Sequence, residues 1–297
     1  MAPAILRALL AKLIDYAGLF PPASLSMPDT VRNYSAYRQS ADAWALGRLV
    51  VPAARLAELG TVAHQLSVLE QKPWHVSVIA GDHFDADITA IRAFNADDRP
   101  HLRVDAVEVR ANSVDDVHRI ALYADSALAT FVEVPSSTDP RSMLDALQGH
   151  HLWAKIRTGG TTSDAFPQAS AVARFLIACF ERDLRFKATA GLHHPTRGEY
   201  PLTYAGDAPR GEMFGFLNLF IAAALARTGA DEAEVSSALE ERNAGAFTFS
   251  KDAVTAFGSR LDVDDITTMR AHGAISFGSC SFREPIDELT ALGLLPQ

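Results

Sequence analysis

Short runs of apolar and β-branched residues alternate with helix-like segments along the whole chain. The eight runs are IDYAGLF (14–20), GRLVVP (47–52), HVSVIAG (75–81), DAVEVRA (105–111), TFVEVP (130–135), WAKIRTGG (153–160), FKATAG (186–191) and AISFGSCSF (274–282). Between them lie segments such as AARLAELGTVAHQL and FPQASAVARFLIACFERD, whose apolar residues recur at helical spacing. Eight strands, each followed by a helix, predict an α/β protein with a (β/α)8 barrel. An open doubly wound sheet would show the same periodicity.

The spacing is regular until the seventh strand. Residues 196–273 separate it from the eighth, and we expect them to form a long, mainly helical insertion within a single domain of residues 1–297. The insertion begins with the polar loop TRGEYPLTYAGDAPRGE, whose Gly, Pro and polar residues suit a mobile cover. We expect this loop to fold over the barrel mouth, with Arg197 or Arg210 able to reach an anionic substrate. FLNLFIAAALA, further on, is typical of a core or subunit-interface helix.

Alternation within the strands places polar side chains on the inner face of the barrel. The positions opposite the apolar face are Asp15, Arg48, His75, Ser77, Glu133, Lys155, Arg157, Lys187, Thr189 and either Asp105 or Glu108. A purely structural barrel fills its interior with Val, Ile and Leu. Unpaired buried charges would cost several kcal/mol each, so this pattern predicts a functional site inside the barrel.

Lys155 and Lys187, on the sixth and seventh strands, carry the sharpest chemical signal. Because adjacent strands lie about 4.7 Å apart, we expect the two ammonium groups to lower each other's pKa. A lysine that is neutral near pH 7 can attack a carbonyl and form a Schiff base, with a nearby acid to relay protons. The alternative is that both lysines pair with Glu108 and Glu133 in a buried ion network.

Composition narrows the class of protein. The formal net charge of −9 argues against a nucleic-acid or anionic-membrane surface. Two cysteines, Cys179 and Cys280, suggest a reducing compartment, and Cys280 is read as a packing residue. The opening MAPAILRALLAKLI favours an amphipathic helix over a signal peptide, and no apolar run approaches membrane-spanning length. We therefore expect a cytoplasmic homo-oligomer that acts on a small molecule, with no nucleic acid or membrane as partner.

The ordered motifs resemble class I aldolases of the deoxyribose-phosphate aldolase type. The resemblance runs collinearly through IDYAGLFPP, VDAV, FVEVP, KIRTG, KATAG and FGSCS, over roughly residues 13–195 and 274–290. It implies a Schiff-base nucleophile at Lys155, a pKa-lowering partner at Lys187 and a proton relay at Asp105. It also implies that no cofactor is needed.

Two features depart from that family. The long insertion is absent from it, and LHHP replaces its usual residues after the seventh strand. In addition, if Val107 and Val109 face the helices, Glu108 points inward and Asp105 does not, unless a bulge or a strand-start position intervenes. Asp105 and Glu108 therefore both remain candidates for the relay.

The candidate site residues fall into two groups. The catalytic candidates are Asp15, Asp105, Glu108, Glu133, Lys155 and Lys187. The substrate-binding candidates are Arg48, His75, Arg157, Thr158, Gly159, Gly160, His193, His194, Gly278 and Ser279. Among these, TGG and FGSCS offer backbone N–H groups to an anion, as barrel phosphate sites do.

Three functions follow as hypotheses. The first is an aldolase-like lyase that forms a Schiff base with a small carbonyl compound, phosphorylated or not. The second is a metal-dependent lyase or isomerase that uses His193, His194 and the inward acids. The third is a non-catalytic ligand-binding barrel whose charged interior is a salt-bridge core.

Overall fold

Eight parallel strands close into a barrel, which confirms the predicted (β/α)8 fold. The computed structural model describes residues 2–66, 73–97 and 101–296. Around the barrel the strand order is β1-β2-β3-β4-β5-β6-β7-β13, and β13 returns to pair with β1. Closure distinguishes this fold from the open sheet, because no barrel strand is left with an unpaired edge.

The strands are β1 (Ile14–Tyr16), β2 (Leu46–Pro52), β3 (Trp74–Ile79), β4 (Leu102–Arg110), β5 (Ala129–Val134), β6 (Trp153–Arg157), β7 (Phe186–Thr189), β8 (Gly198–Pro201), β9 (Arg210–Met213), β10 (Thr248–Phe249), β11 (Ala253–Ala256), β12 (Ser259–Asp262) and β13 (Ala274–Ser279). The helices are α1 (Ala4–Leu10), α2 (Met27–Gln39), α3 (Leu56–Gln65), α4 (Phe84–Ala96), α5 (Val114–Ala121), α6 (Arg141–Gly149), α7 (Ala169–Glu181), α8 (Phe216–Arg227), α9 (Glu232–Glu240), α10 (Val263–His272) and α11 (Arg283–Ala291). Short 3₁₀ turns occupy Ala43–Ala45, Ala53–Arg55, Ser163–Ala165 and Ala244–Ala246.

The insertion between β7 and β13 contains helices and small sheets. It opens with the antiparallel hairpin β8–β9, continues through α8 and α9, and adds the three-stranded sheet β10-β11-β12 before α10. Residues 216–226 of α8 are all buried, and the helix packs against α7 and α9 of the same chain. Of the two roles expected for FLNLFIAAALA, α8 therefore takes that of a core helix.

The first two helices of the chain have clear local determinants. The Ser26 hydroxyl accepts a hydrogen bond from the backbone N–H of Asp29 and caps α2. Helix α1 is amphipathic, with Ile5, Leu6, Leu9 and Leu10 buried. None of the helices in the described part of the chain has the length and apolar character needed to cross a membrane.

Candidate functional site

A cavity of about 280 Å³ opens at the carboxyl ends of the barrel strands. Its floor includes Glu108, Lys155 and Lys187, and the loop after β1 contributes Phe20 and Pro21 to its wall. The strand predicted over 14–20 is short, and Ala17 onward forms this loop instead. The carboxyl end is the face where barrel enzymes place their chemistry.

Glu108 bridges the two inward lysines. Its Oε2 lies 2.9 Å from Nζ of Lys155, and its Oε1 lies 2.7 Å from Nζ of Lys187. Strand β4 is adjacent to neither β6 nor β7, so these contacts cross the barrel interior. The side chains of Lys155, Lys187 and Glu108 are 5%, 1% and 2% exposed. The inward orientation expected from strand alternation is thus what the structure has.

Each lysine has a second carboxylate partner. Nζ of Lys155 lies 2.9 Å from Oε2 of Glu133, and Nζ of Lys187 lies 2.7 Å from Oδ2 of Asp15. Two of these carboxylates also accept hydrogen bonds from hydroxyls: Ser77 donates to Glu108 and Ser276 donates to Asp15, both at 2.7 Å. The result is a continuous buried chain of alternating charges from β5 to β1.

The pKa directions follow from this network. Burial opposes ionisation of Glu108, but Lys155 and Lys187 outweigh it and hold the pKa of Glu108 far below its ordinary value. Burial likewise opposes ionisation of Glu133, and Lys155 and Arg157 nevertheless lower its pKa to about 2. Burial lowers the pKa of Lys187, but the carboxylates of Asp15 and Glu108 raise it by more, so the net shift of the pKa is upward. For Lys187, the expected lowering by a neighbouring ammonium group is wrong, because two carboxylates lie closer.

Asp105 lies at the other end of the barrel, away from the lysines. The β3–β4 register shifts by one residue there, since Val76 pairs with Val104 and Ser77 with Ala106. Asp105 contacts Nε of Arg48 at 2.7 Å and Nδ1 of His75 at 2.8 Å. The expectation that Asp105, Arg48 and His75 meet the lysines is therefore wrong. Of the two relay candidates, Glu108 is the one in contact with Lys155.

A separate cavity at the amino-terminal end of the strands is lined by Arg48, His75 and Asp105. Asp15 lies between the two ends, because its Oδ1 accepts from the backbone N–H of Arg48 at 2.8 Å. Gly47 is required beside it, since a Cβ there would come within 2.3 Å of the Asp15 carboxylate. Asp15 thus positions Lys187 rather than lining the carboxyl-end cavity.

The residues of the TGG and FGSCS turns either line the cavity or pack the loops around it. Gly160 and Gly278 line the cavity. A Cβ on Gly159 would come within 2.5 Å of Phe166, so Gly159 allows close packing of the loops. The Thr158 hydroxyl donates to the carbonyl of Ala190 at 2.7 Å, and the Ser279 carbonyl accepts from Ala17 N–H at 2.7 Å. Thr158, Gly159 and Ser279 therefore hold the mouth together in this structure.

His193 and His194 are both bound by helix α11. Nδ1 of His193 lies 3.0 Å from Glu284, and Nδ1 of His194 lies 2.6 Å from Glu288. Burial disfavours the charged form of His193, but its contacts with Cys280 and Glu284 raise its pKa to about 10. An imidazolium offers no lone pair to a metal. Among the described residues, no three His, Cys, Asp or Glu side chains are grouped to hold a metal ion.

The β8–β9 hairpin covers the mouth, as expected for residues 196–212. Leu202 and Met213 line the cavity together with the lysines. The expected role of its arginines is wrong, however. Arg197 pairs with Glu212 at 3.2 Å and Arg210 with Glu199 at 3.6 Å, and neither lines that cavity.

Tyr204 fastens the hairpin tip to the barrel. Its hydroxyl donates to Glu284 at 2.9 Å and lies 3.5 Å from Sγ of Cys280. Tyr204 is 56% exposed, whereas Leu202 at the start of the same loop is buried. The polar contacts of Tyr204 therefore add to the apolar burial of Leu202 in holding the hairpin.

We expect Tyr204→Ala to speed the reaction of Cys280 with an aromatic disulfide reagent by roughly tenfold. A hydrogen bond to a charged carboxylate contributes about 1.5 kcal/mol, so losing it raises the population of the open hairpin by roughly tenfold. Cys179, fully buried in α7, is the internal reference, and Phe257→Ala, at an exposed aromatic residue between β11 and β12, is the control variant. An unchanged rate of Cys280 labelling would show that Tyr204 does not hold the hairpin closed.

Several site residues were not among the sequence candidates. Ser276 and Arg110 obey the same two-residue alternation as their neighbours Gly278 and Glu108, so the strand pattern contained a signal for both. Tyr204 and Glu284 had none, because their contact joins segments 80 residues apart. Only the fold brings these two together.

No protein-family model matches the chain, and no curated protein matches it either. The function is therefore inferred from the geometry of the site.

Proposed function

We propose that the protein is an aldolase-like lyase that forms a Schiff base between Lys155 and a small carbonyl compound. The observation that carries the proposal is the Glu108 carboxylate, which bridges two buried lysines on the floor of a cavity at the carboxyl end of the barrel. The distant resemblance to deoxyribose-phosphate aldolases implies the same two lysines, but it implies Asp105 as the relay where the geometry favours Glu108.

The two lysines differ in a way that supports distinct roles. Lys187 is contacted by Asp15 and Glu108 and has a raised pKa, so it stays an ammonium group and acts through its charge. Lys155 must first lose one proton, and the carboxylates of Glu108 and Glu133, both at 2.9 Å, are the acceptors within reach. Glu108 is ionised, so it can take up this proton, and its pKa rises once Lys155 no longer carries the charge that lowers it.

The proposed reaction needs no cofactor. The free amine of Lys155 adds to the carbonyl carbon, and the proton held by Glu108 passes to the oxygen of the carbinolamine. The nitrogen then gives a proton to the same oxygen through Glu108, and water leaves. The iminium that remains withdraws electrons from the carbon–carbon bond to be broken. The ammonium group of Lys187 stays charged beside Glu108 throughout. We also propose a cytoplasmic location, which the two free, buried cysteines support, and a homo-oligomeric state.

Borohydride reduction tests the proposal directly. With a panel of small aldehydes and ketones, we expect at least one compound to add one stable reduced adduct to the intact mass. Reductant without carbonyl is the control for mass change. If a broad panel leaves the folded protein unlabelled, the Schiff-base proposal fails.

The completeness of the ion network favours one alternative, a non-catalytic ligand-binding barrel. Every charged member of the network has an oppositely charged partner within 2.9 Å, which is also what a salt-bridge core would have. Such a barrel would bind small molecules reversibly without forming an adduct. The same trapping experiment therefore separates the two functions.

A further inference from the structure

Two guanidinium groups flank Glu133 where β4 and β6 end. Arg110 is the last residue of β4 and Arg157 the last of β6. Both contact Oε1 of Glu133, at 3.1 Å and 3.2 Å, while Lys155 contacts Oε2. Three cations around one carboxylate leave a local excess of positive charge in a chain whose formal net charge is −9.

The arginines retain hydrogen-bonding capacity toward the cavities. The Arg110 and Arg157 side chains are 62% and 43% exposed, whereas Glu133 is 9% exposed. A guanidinium carries five N–H groups, and each contact with Glu133 engages one of them. The remaining donors suit the planar, paired recognition of a carboxylate or phosphate.

Two adjoining cavities meet at these arginines. The wider one, of about 760 Å³, is also lined by Glu108 and Lys155. The smaller one, of about 250 Å³, shares Asn112 with the wider one and adds Ser136 and Ser137. Arg110 and Arg157 line both, so they stand between the lysine and a group of neutral donors.

The aspartates of the wider cavity lie on the segments that follow β3 and β4. Asp116, on the wall of the wider cavity, is already bound by Arg119 and by the backbone N–H of Asn112. Asp82 and Asp85 line the same cavity, on the segment that follows β3. The positive charge is thus concentrated on the side of the mouth formed by β4, β5 and β6.

We propose that Arg110 and Arg157 form a subsite for the carboxylate or phosphate of the substrate. One carboxylate, Glu133, spans the gap between Lys155 and both arginines, so the anionic group lies only a few bonds from the carbonyl. This selects short aldehydes or ketones with a terminal anionic group. The carbonyl part of this inference rests on the proposed function, while the anion subsite stands on its own geometry.

The first experiment measures anion binding without a carbonyl. Inorganic phosphate and succinate are titrated into the wild-type protein by calorimetry, then into Arg110→Gln, Arg157→Gln and the double variant. Charge-assisted hydrogen bonds imply a loss of affinity of roughly tenfold or more for each arginine. Arg92→Gln is the matched control, because Arg92 pairs with Asp125 outside the site.

The second experiment compares trapping of paired carbonyl compounds. The pairs are 4-oxobutanoate with butanal, for the carboxylate, and glyceraldehyde 3-phosphate with glyceraldehyde, for the phosphate. We expect the charged member of at least one pair to half-saturate trapping at a concentration at least tenfold lower, and the double variant to lose that preference.

The outcomes separate the subsite from the reaction. Anion binding that depends on both arginines, with no adduct from any carbonyl, would support the subsite and contradict the proposed function. Trapping with equal preference for charged and neutral members would overturn the subsite and leave the proposed function standing. Anion affinity unaltered in the double variant, or absent from the wild type, would also overturn the subsite.

Discussion

Reduction with borohydride should place the carbonyl adduct on the peptide that contains Lys155, and Lys155→Arg should abolish the adduct. A guanidinium stays protonated near neutral pH and is a poor nucleophile, while its charge keeps the contacts with Glu108 and Glu133 partly satisfied. The chain has five lysines, at positions 12, 72, 155, 187 and 251, so peptide mapping by mass spectrometry assigns the site without ambiguity. The exposed Lys251, changed to Arg, is the matched control and should trap as the wild type does.

The Lys187→Met variant sharpens this test. Without Lys187, the Glu108 carboxylate keeps Lys155 as its single cationic partner and holds it more tightly. Trapping near neutral pH should therefore be slower than in the wild type. Part of the lost rate should return in alkali. An adduct found on Lys187 instead of Lys155 would reverse the proposed roles.

Glu108→Ala should lower the free energy of unfolding by about 3 kcal/mol. Removing one partner of a buried ion pair costs about 3–5 kcal/mol, and the lower end applies because Lys155 keeps Glu133 and Lys187 keeps Asp15. Denaturant unfolding at pH 7 measures the change. Glu58→Ala is the matched control, because its exposed pair with Arg55 contributes less than about 1 kcal/mol.

Glu108→Gln keeps the volume of the side chain and provides a second test should the Glu108→Ala protein not fold. Its amide oxygen can still accept from one lysine, while its NH₂ group faces the other, so an intermediate loss of stability is expected. A loss as small as that of Glu58→Ala for both substitutions would contradict the ion network as a source of stability. This expectation holds for an enzyme and for a ligand-binding barrel alike.

The strands and their inward-facing charged residues could be predicted because side-chain alternation depends only on the residues of each strand. Alternation along β6 and β7 sends Lys155 and Lys187 to the face opposite Ala154 and Ala188, whatever lies across the barrel. Alternation also turned Glu108 inward, as the structure has it, whereas the resemblance that implied Asp105 as the relay was wrong in placing it beside the lysines. One extra residue in β4 shifts the register, and such a bulge is set by pairing with β3 rather than by the residues of β4 alone.

The direction of the Lys187 pKa shift also needed the fold. Two lysines on neighbouring strands predict mutual repulsion, but the carboxylates that reverse the effect come from β1 and β4, across the barrel. Likewise, the arginines of the hairpin were plausible anion ligands by position in the chain. They pair with acids of the hairpin itself, while Arg110 and Arg157 line the cavities.

The sequence by itself determined the eight strand–helix units, the place of the insertion and the inward face of Lys155, Lys187 and Glu133, because side-chain periodicity is a property of each strand. The tertiary structure alone decided which charges meet. It placed Glu108 between the lysines, sent Asp105 to the opposite end and brought Tyr204 to Glu284. Coulomb interactions and hydrogen bonds depend on distances of a few ångströms between residues far apart in the chain, and barrel closure sets those distances.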